Sequence, residues 1–237
     1  MNFFKSSKKT NDDSSDEDID PAQIRKALFE QISESDYNKT DIDRLKKEDF
    51  TVTRYFKEDT QSTIDTIKSV LEWRKSYELS DIKEEDFPED LQKTTTFVRY
   101  GHDVENNVMV YIRVKLFVKD RHPMELFKKH LAFLLDQVDR ETHGDGWVLC
   151  FDCTDSGPSN VDMELIKLTV QCLTLFYLEN CRYVLIYEMP WALASVWKLV
   201  STWLPQDQRE GIKFATKKDF GNFVEESQQP DFIKESE

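Results

Sequence analysis

The sequence predicts an α/β protein, with an all-helical N-terminal lobe followed by a lobe built on a mainly parallel mixed sheet covered by helices. Two observations carry this. No glycine precedes Gly101, and apolar residues before it recur at helical spacing. From residue 96 onward, short runs rich in β-branched and aromatic residues alternate with helical patterns, the order expected of parallel strands joined by helical crossovers. With 237 residues, 39% of them hydrophobic, the chain can bury one large core or two small ones.

Residues 1–20 read as a disordered acidic tail, because their Ser, Asp, Glu and Lys content offers too little apolar surface to offset ordering entropy. Ser14 and Ser15 precede Asp16, Glu17 and Asp18, a setting acidophilic kinases tolerate; a plain solvated tail is the alternative. Residues 21–94 read as the helical lobe. Pro21 suits a helix's first turn, and Ile64, Ile67, Val70 and Leu71 share one helical face. Residues 95–226 form the second lobe, and 227–237 a C-terminal tail. In the second lobe TFVRY (96–100) and VMVYIRV (108–114) read as strands around a GHDVENN turn. Residues 123–142 form an amphipathic helix, 146–152 a buried strand, 163–177 a helix apolar nearly all round, and 182–187 another buried strand. A last short strand covers 211–215.

The charge balance of 46 acidic against 32 basic residues argues against a nucleic-acid partner, which needs a positive face for phosphates. The N-terminal stretch lacks an apolar run of signal-peptide length, and no segment approaches the roughly 18 uncharged apolar residues of a membrane span. An intracellular protein with reduced thiols is the expectation. Cys150 and Cys153 make a CxxC, but it ends an apolar strand, where residues three apart face opposite ways; Cys172 and Cys181 do not form a second pair. Small core residues are the expected role, and no metal or cofactor is expected. Asp155-Ser-Gly157 matches the turn of aspartic proteases, whose chemistry needs two such carboxylates; one copy is present. His130 lies along an apolar helix face and reads as a core histidine. No catalytic constellation assembles, so the chain is not expected to be an enzyme, an aspartic hydrolase ranking last among the readings.

The stretch EMPWALASVWKLVSTWL (188–204) carries three of the five tryptophans. On a helical wheel Leu193, Val196, Trp197, Val200, Trp203 and Leu204 cluster on one side, with Ser195, Lys198 and Thr202 opposite. Such a face either covers the sheet or meets lipid, since indole pairs an apolar body with a polar tip.

The order of these features resembles the CRAL-TRIO (Sec14-like) lipid-binding family over residues 43–224. Leu71-Glu-Trp-Arg-Lys75 is similar to the LxWRK end of the family's helical companion. Tyr100-Gly-His-Asp103 followed by Val108-Met-Val-Tyr-Ile-Arg113 is similar to its entry into the sheet. Val148-Leu-Cys-Phe-Asp152 matches a strand ending in the family's Asp, Phe176-Tyr-Leu-Glu179 parallels YPE, and Glu188-Met-Pro-Trp191 with Trp203-Leu204 bounds its gate helix. The resemblance implies an apolar pocket over the sheet closed by a mobile gate at 191–204. It implies a hydrophobic ligand, a phospholipid in many members, exchanged with a membrane surface met transiently, and a cytoplasmic, peripherally membrane-associated protein. Ligand contacts would come from Trp191, Leu193, Val196, Trp197, Val200, Trp203 and Leu204. Glu179 matches the glutamate of the inositol-headgroup site, while Gly211 stands where that site has a lysine, leaving Lys213 as the nearest base. A lipid-free module that docks a protein partner through the tryptophan face is the alternative.

Overall fold

The computed structural model describes residues 20–57, 59–93, 96–118, 121–177 and 180–234, apart from the side chain of Asp207. The expected tail at 1–20 therefore lies outside the described residues up to position 19. The chain divides into two compact units, one ending at Ile82 and the other beginning at Lys83.

The first unit is helical: α1 (Pro21–Phe29), α2 (Lys39–Lys47), α3 (Phe50–Thr53) and α4 (Thr60–Tyr77). Local chemistry fixes the ends. Asp20 accepts the Ala22 N–H with Pro21 in the first turn, and Asp59 accepts the Ser62 N–H at the start of α4. Ile64, Ile67, Val70 and Leu71 are buried, as their spacing predicts. Arg74, from the LEWRK stretch, donates to Asp41 at 2.7 Å, and the Ser80 hydroxyl donates to the same oxygen. Both members of that pair are buried, so removing either would leave the other's charge buried and unpaired.

The second unit holds α5 (Glu89–Lys93) and a five-stranded sheet in the order β1 (Phe97–His102), β2 (Val108–Arg113), β3 (Trp147–Asp152), β4 (Cys181–Tyr187) and β5 (Ile212–Ala215). β1 and β2 form an antiparallel hairpin; the other neighbours are parallel. The hairpin turn is fastened by buried Asp103, which accepts the N–H groups of Glu105 and Asn107 and the Tyr183 hydroxyl. Three crossovers join the parallel strands: α6 (Met124–Thr142), α7 (Met163–Gln171) and a segment centred on α8 (Ala194–Val200). Strands laid down in sequence order with right-handed crossovers put every crossover on one side of the sheet.

The other side is covered by the chain's own end. Beyond β5, Phe220, Val224 and Ile233 pack on Met109, Tyr111, Val148, Cys150, Tyr183, Leu185 and Tyr187. The Tyr187 and Phe220 rings lie 4.6 Å apart. Residues after 226, expected as a tail, include a short helix (Asp231–Lys234), whose Ile233 joins this core.

Candidate functional site

The alternation of a strand builds the site. Ile112 of β2, Phe151 of β3, Val184 and Ile186 of β4 and Ile212 of β5 all point to the crossover side, where they floor a cavity of about 150 Å³. Leu165, Ile166, Thr169 and Val170 of α7 form one wall. That helix ends in a π-helical turn, Cys172–Phe176, closed by the Tyr177 N–H on the Cys172 carbonyl at 2.8 Å, and Leu173 of this turn also lines the cavity. Sequence periodicity predicts a continuous helix over 163–177; the wider turn re-aims its last side chains. Val114 and Phe117, just past β2, and Met189, just past β4, close the rim.

The roof is the tryptophan segment. It is not one uniform helix. A 3₁₀ turn, Trp191–Leu193, leads into α8, and a second, Ser201–Trp203, follows it. Pro190 and Pro205 bracket the segment, each barring helix across itself. Leu193, Val196, Trp197, Val200 and Leu204 line the cavity, and Trp197 also meets Phe214 edge-on at 5.3 Å. Ser195, Lys198 and Thr202 are exposed on the outer side. Trp203 does not line the cavity; the Lys167 ammonium sits 5.8 Å from its ring. Trp191 is 89% exposed, with Leu199 and Phe214 half-exposed.

The few polar side chains of the lining are occupied. Asn160 donates to the carbonyls of Lys115 and Phe117 and accepts the Gly157 N–H. Asp162 accepts from Glu164 and Leu165 at the start of α7, and the Thr169 hydroxyl donates to the Leu165 carbonyl. Cys153 faces the cavity, and burial pushes its thiol up to about 12, so it is an uncharged wall atom. A polar ligand group inside would give up water for few partners in a lining that is almost wholly apolar, at a cost of about 1–3 kcal/mol for each bond not remade. Such a wall selects apolar matter.

The headgroup candidates separate. Glu179 lies outside the described residues. Lys213 points to the opposite side of the sheet, its ammonium 3.8 Å from the Tyr183 ring centre and 5.5 Å from that of Phe223. Asp155 is exposed and paired with Lys115 at 3.3 Å. Cys150 belongs to the far-side core while Cys153 lines the cavity, and all four thiols are buried and unbridged. Among the described residues no group of His, Cys, Asp and Glu could hold a metal ion. His130 packs against the rings of Phe87 and Phe97, its Nδ1 without a partner; burial lowers its pKa to about 4.

A sequence model of the CRAL/TRIO domain matches residues 92–234, more than half of the chain. The chain belongs to the CRAL/TRIO domain family. Among solved structures, the crystal structure of Sfh5 is similar, with a TM-score of 0.65 at 13% identity over 89% of this chain and 85% of that one. At that identity the likeness is one of fold. CRAL/TRIO domains are, as a family, hydrophobic-ligand binding and lipid-transfer modules, and the cavity described above lies wholly within the matched range. Among the described residues no helix is long and apolar enough to cross a membrane.

Proposed function

We propose that this CRAL/TRIO chain binds a phospholipid by its acyl part in the cavity over the sheet and exchanges it with membranes as the 191–204 segment swings. The observation that carries this reading is the lining: an apolar floor, wall and roof whose polar side chains are already bonded within the wall. Leu193, Val196, Trp197, Val200 and Leu204 are the proposed gate contacts with ligand. Trp191, exposed at the start of the segment, is the proposed contact with the bilayer, where indole is favoured. Exchange would be a partition step without bond-making. A methylene moved from water to an apolar site gains about 0.8 kcal/mol, and from a bilayer almost nothing, so transfer runs both ways and the gate sets its rate. A cavity of about 150 Å³ is the size that holds a benzene, so a phospholipid chain requires the roof to move outward. The protein works at the cytoplasmic surface of membranes as a transient visitor.

Native mass spectrometry of protein purified from cells tests the reading. The expected result is a bound species that extraction identifies as a phospholipid. A chain of bare mass that also fails to take up fluorescent phospholipid from vesicles would overturn it. The second reading, a lipid-free module that docks a protein partner, rests on the exposure of Trp191 and would then take its place.

A further inference from the structure

We propose that Glu188 is both hinge and latch of the 191–204 gate, a positioning residue that holds the roof over the cavity; the proposal rests on reading that segment as a gate.

Five described residues other than glycine have a left-handed backbone: Glu78, Asn106, His143, Asp155 and Glu188. Glu78 and His143 terminate helices, where this conformation is an ordinary cap. Asn and Asp adopt it readily. Glu188, with φ 49°, is neither, and it stands between β4 and the gate. Its two successors have little freedom. Pro190 fixes its own φ, and Met189, preceding a proline, is kept extended. The torsions of Glu188 are therefore the least proline-restrained pivot in the gate's N-terminal connection, and crossing to negative φ would relieve its strain.

Two bonds hold it in place. Its N–H donates to the Ala215 carbonyl, continuing the β4–β5 ladder. Its carboxylate accepts the backbone N–H of Lys217 at 2.5 Å. That donor is itself fixed. Asp219 accepts both the N–H and the hydroxyl of Thr216, and Phe220, next in the chain, is buried on the Tyr187 ring. The carboxylate thus ties the gate's hinge to the rigid turn that starts the far-side cover. Met189, the next residue, lines the cavity, so turning the Glu188 backbone carries both the rim and the roof.

The test is hydrogen exchange of the amides at 191–204 in the full chain. Glu188→Ala removes the acceptor and keeps the strained backbone. It is expected to speed exchange of the gate amides about tenfold, the size of one lost hydrogen bond to a charged acceptor, with β3 and β4 unchanged. Glu188→Gln keeps an acceptor at the same reach and should stay within about threefold of the parent. If Glu188→Ala fails to fold, Glu188→Asn tolerates the left-handed backbone but is a methylene too short for Lys217, and should show the same gate-limited rise. An unchanged gate in the Ala or Asn variant overturns the proposal. So does an equal rise across β3 and β4, or a Gln variant as fast as Ala. Vesicle transfer of fluorescent phospholipid is read on the same proteins. Faster gate exchange with no lipid transfer in any variant leaves the latch standing and removes the lipid-exchange reading.

Discussion

On β4, Tyr183, Leu185 and Tyr187 point to one side of the sheet and Val184 and Ile186 to the other. The first three are close-packed under Phe220, Val224 and Ile233; the other two floor a cavity roofed by the gate. Neighbouring residues of one strand thus meet opposite demands. The far side carries large aromatic side chains in contact, Tyr187 with Phe220 and Tyr183 with Phe223. The near side of β4 carries aliphatic side chains that stop short of their roof. The contrast separates what keeps the sheet folded from what leaves room for a ligand, and mutations on the two sides should therefore have different consequences.

Phe220→Ala should cost the most. It truncates a buried ring against Tyr187, and a loss of about 3–5 kcal/mol in denaturant unfolding is expected. A cost below about 1 kcal/mol would mean that the C-terminal cover is not part of the folded core. The crossover side also has a filled part, where His130 sits between Phe87 and Phe97. Its folded pKa of about 4 lies below the ordinary value of 6.5. Its contribution is fully present above about pH 6.5 and is lost as pH falls from there towards about 4, while the unfolded chain takes up the proton first. The full loss is on the order of 3 kcal/mol. His130→Phe should flatten that part of the stability–pH curve; an unchanged curve would contradict the burial of the ring. Val196→Phe, by contrast, adds volume where volume is free. Its stability cost should stay near or below about 1 kcal/mol, while uptake of fluorescent lipid falls. A large destabilisation with normal uptake would show that the roof is already close-packed. The smallest effect concerns the headgroup. With Lys213 on the far side, phosphatidylinositol and phosphatidylcholine should compete about equally, and a tenfold preference, about 1.4 kcal/mol, would contradict that placement.

The strands, the crossover helices and the inward set Leu193, Val196, Trp197, Val200 and Leu204 were legible because periodicity reports directly on which side a residue faces. Three features were not. The π turn at Cys172–Phe176 leaves no compositional mark in a stretch apolar on every side. Trp203 shares the wheel face of Trp197, yet the 3₁₀ turn at Ser201–Trp203 changes the angle per residue and moves its ring beside Lys167. The burial of Ile233, with Phe232 packed part-buried beside it among charged neighbours, depends on the far side of a sheet assembled from distant segments, which no local pattern encodes. Lys213 shows the reverse: strand alternation alone, once Ile212 is set on the floor, sends it away from the cavity.

The most direct test of the account is Trp197→Ala, with unfolding by denaturant and lipid transfer between vesicles measured on the same protein. Trp197 is part of the roof, half-buried and resting edge-on against Phe214. If the near side serves exchange, the variant should stay folded at a cost well under the roughly 3–5 kcal/mol of a core tryptophan, and its transfer should drop severalfold. Loss of the full core amount, or parental transfer by the folded variant, would contradict it.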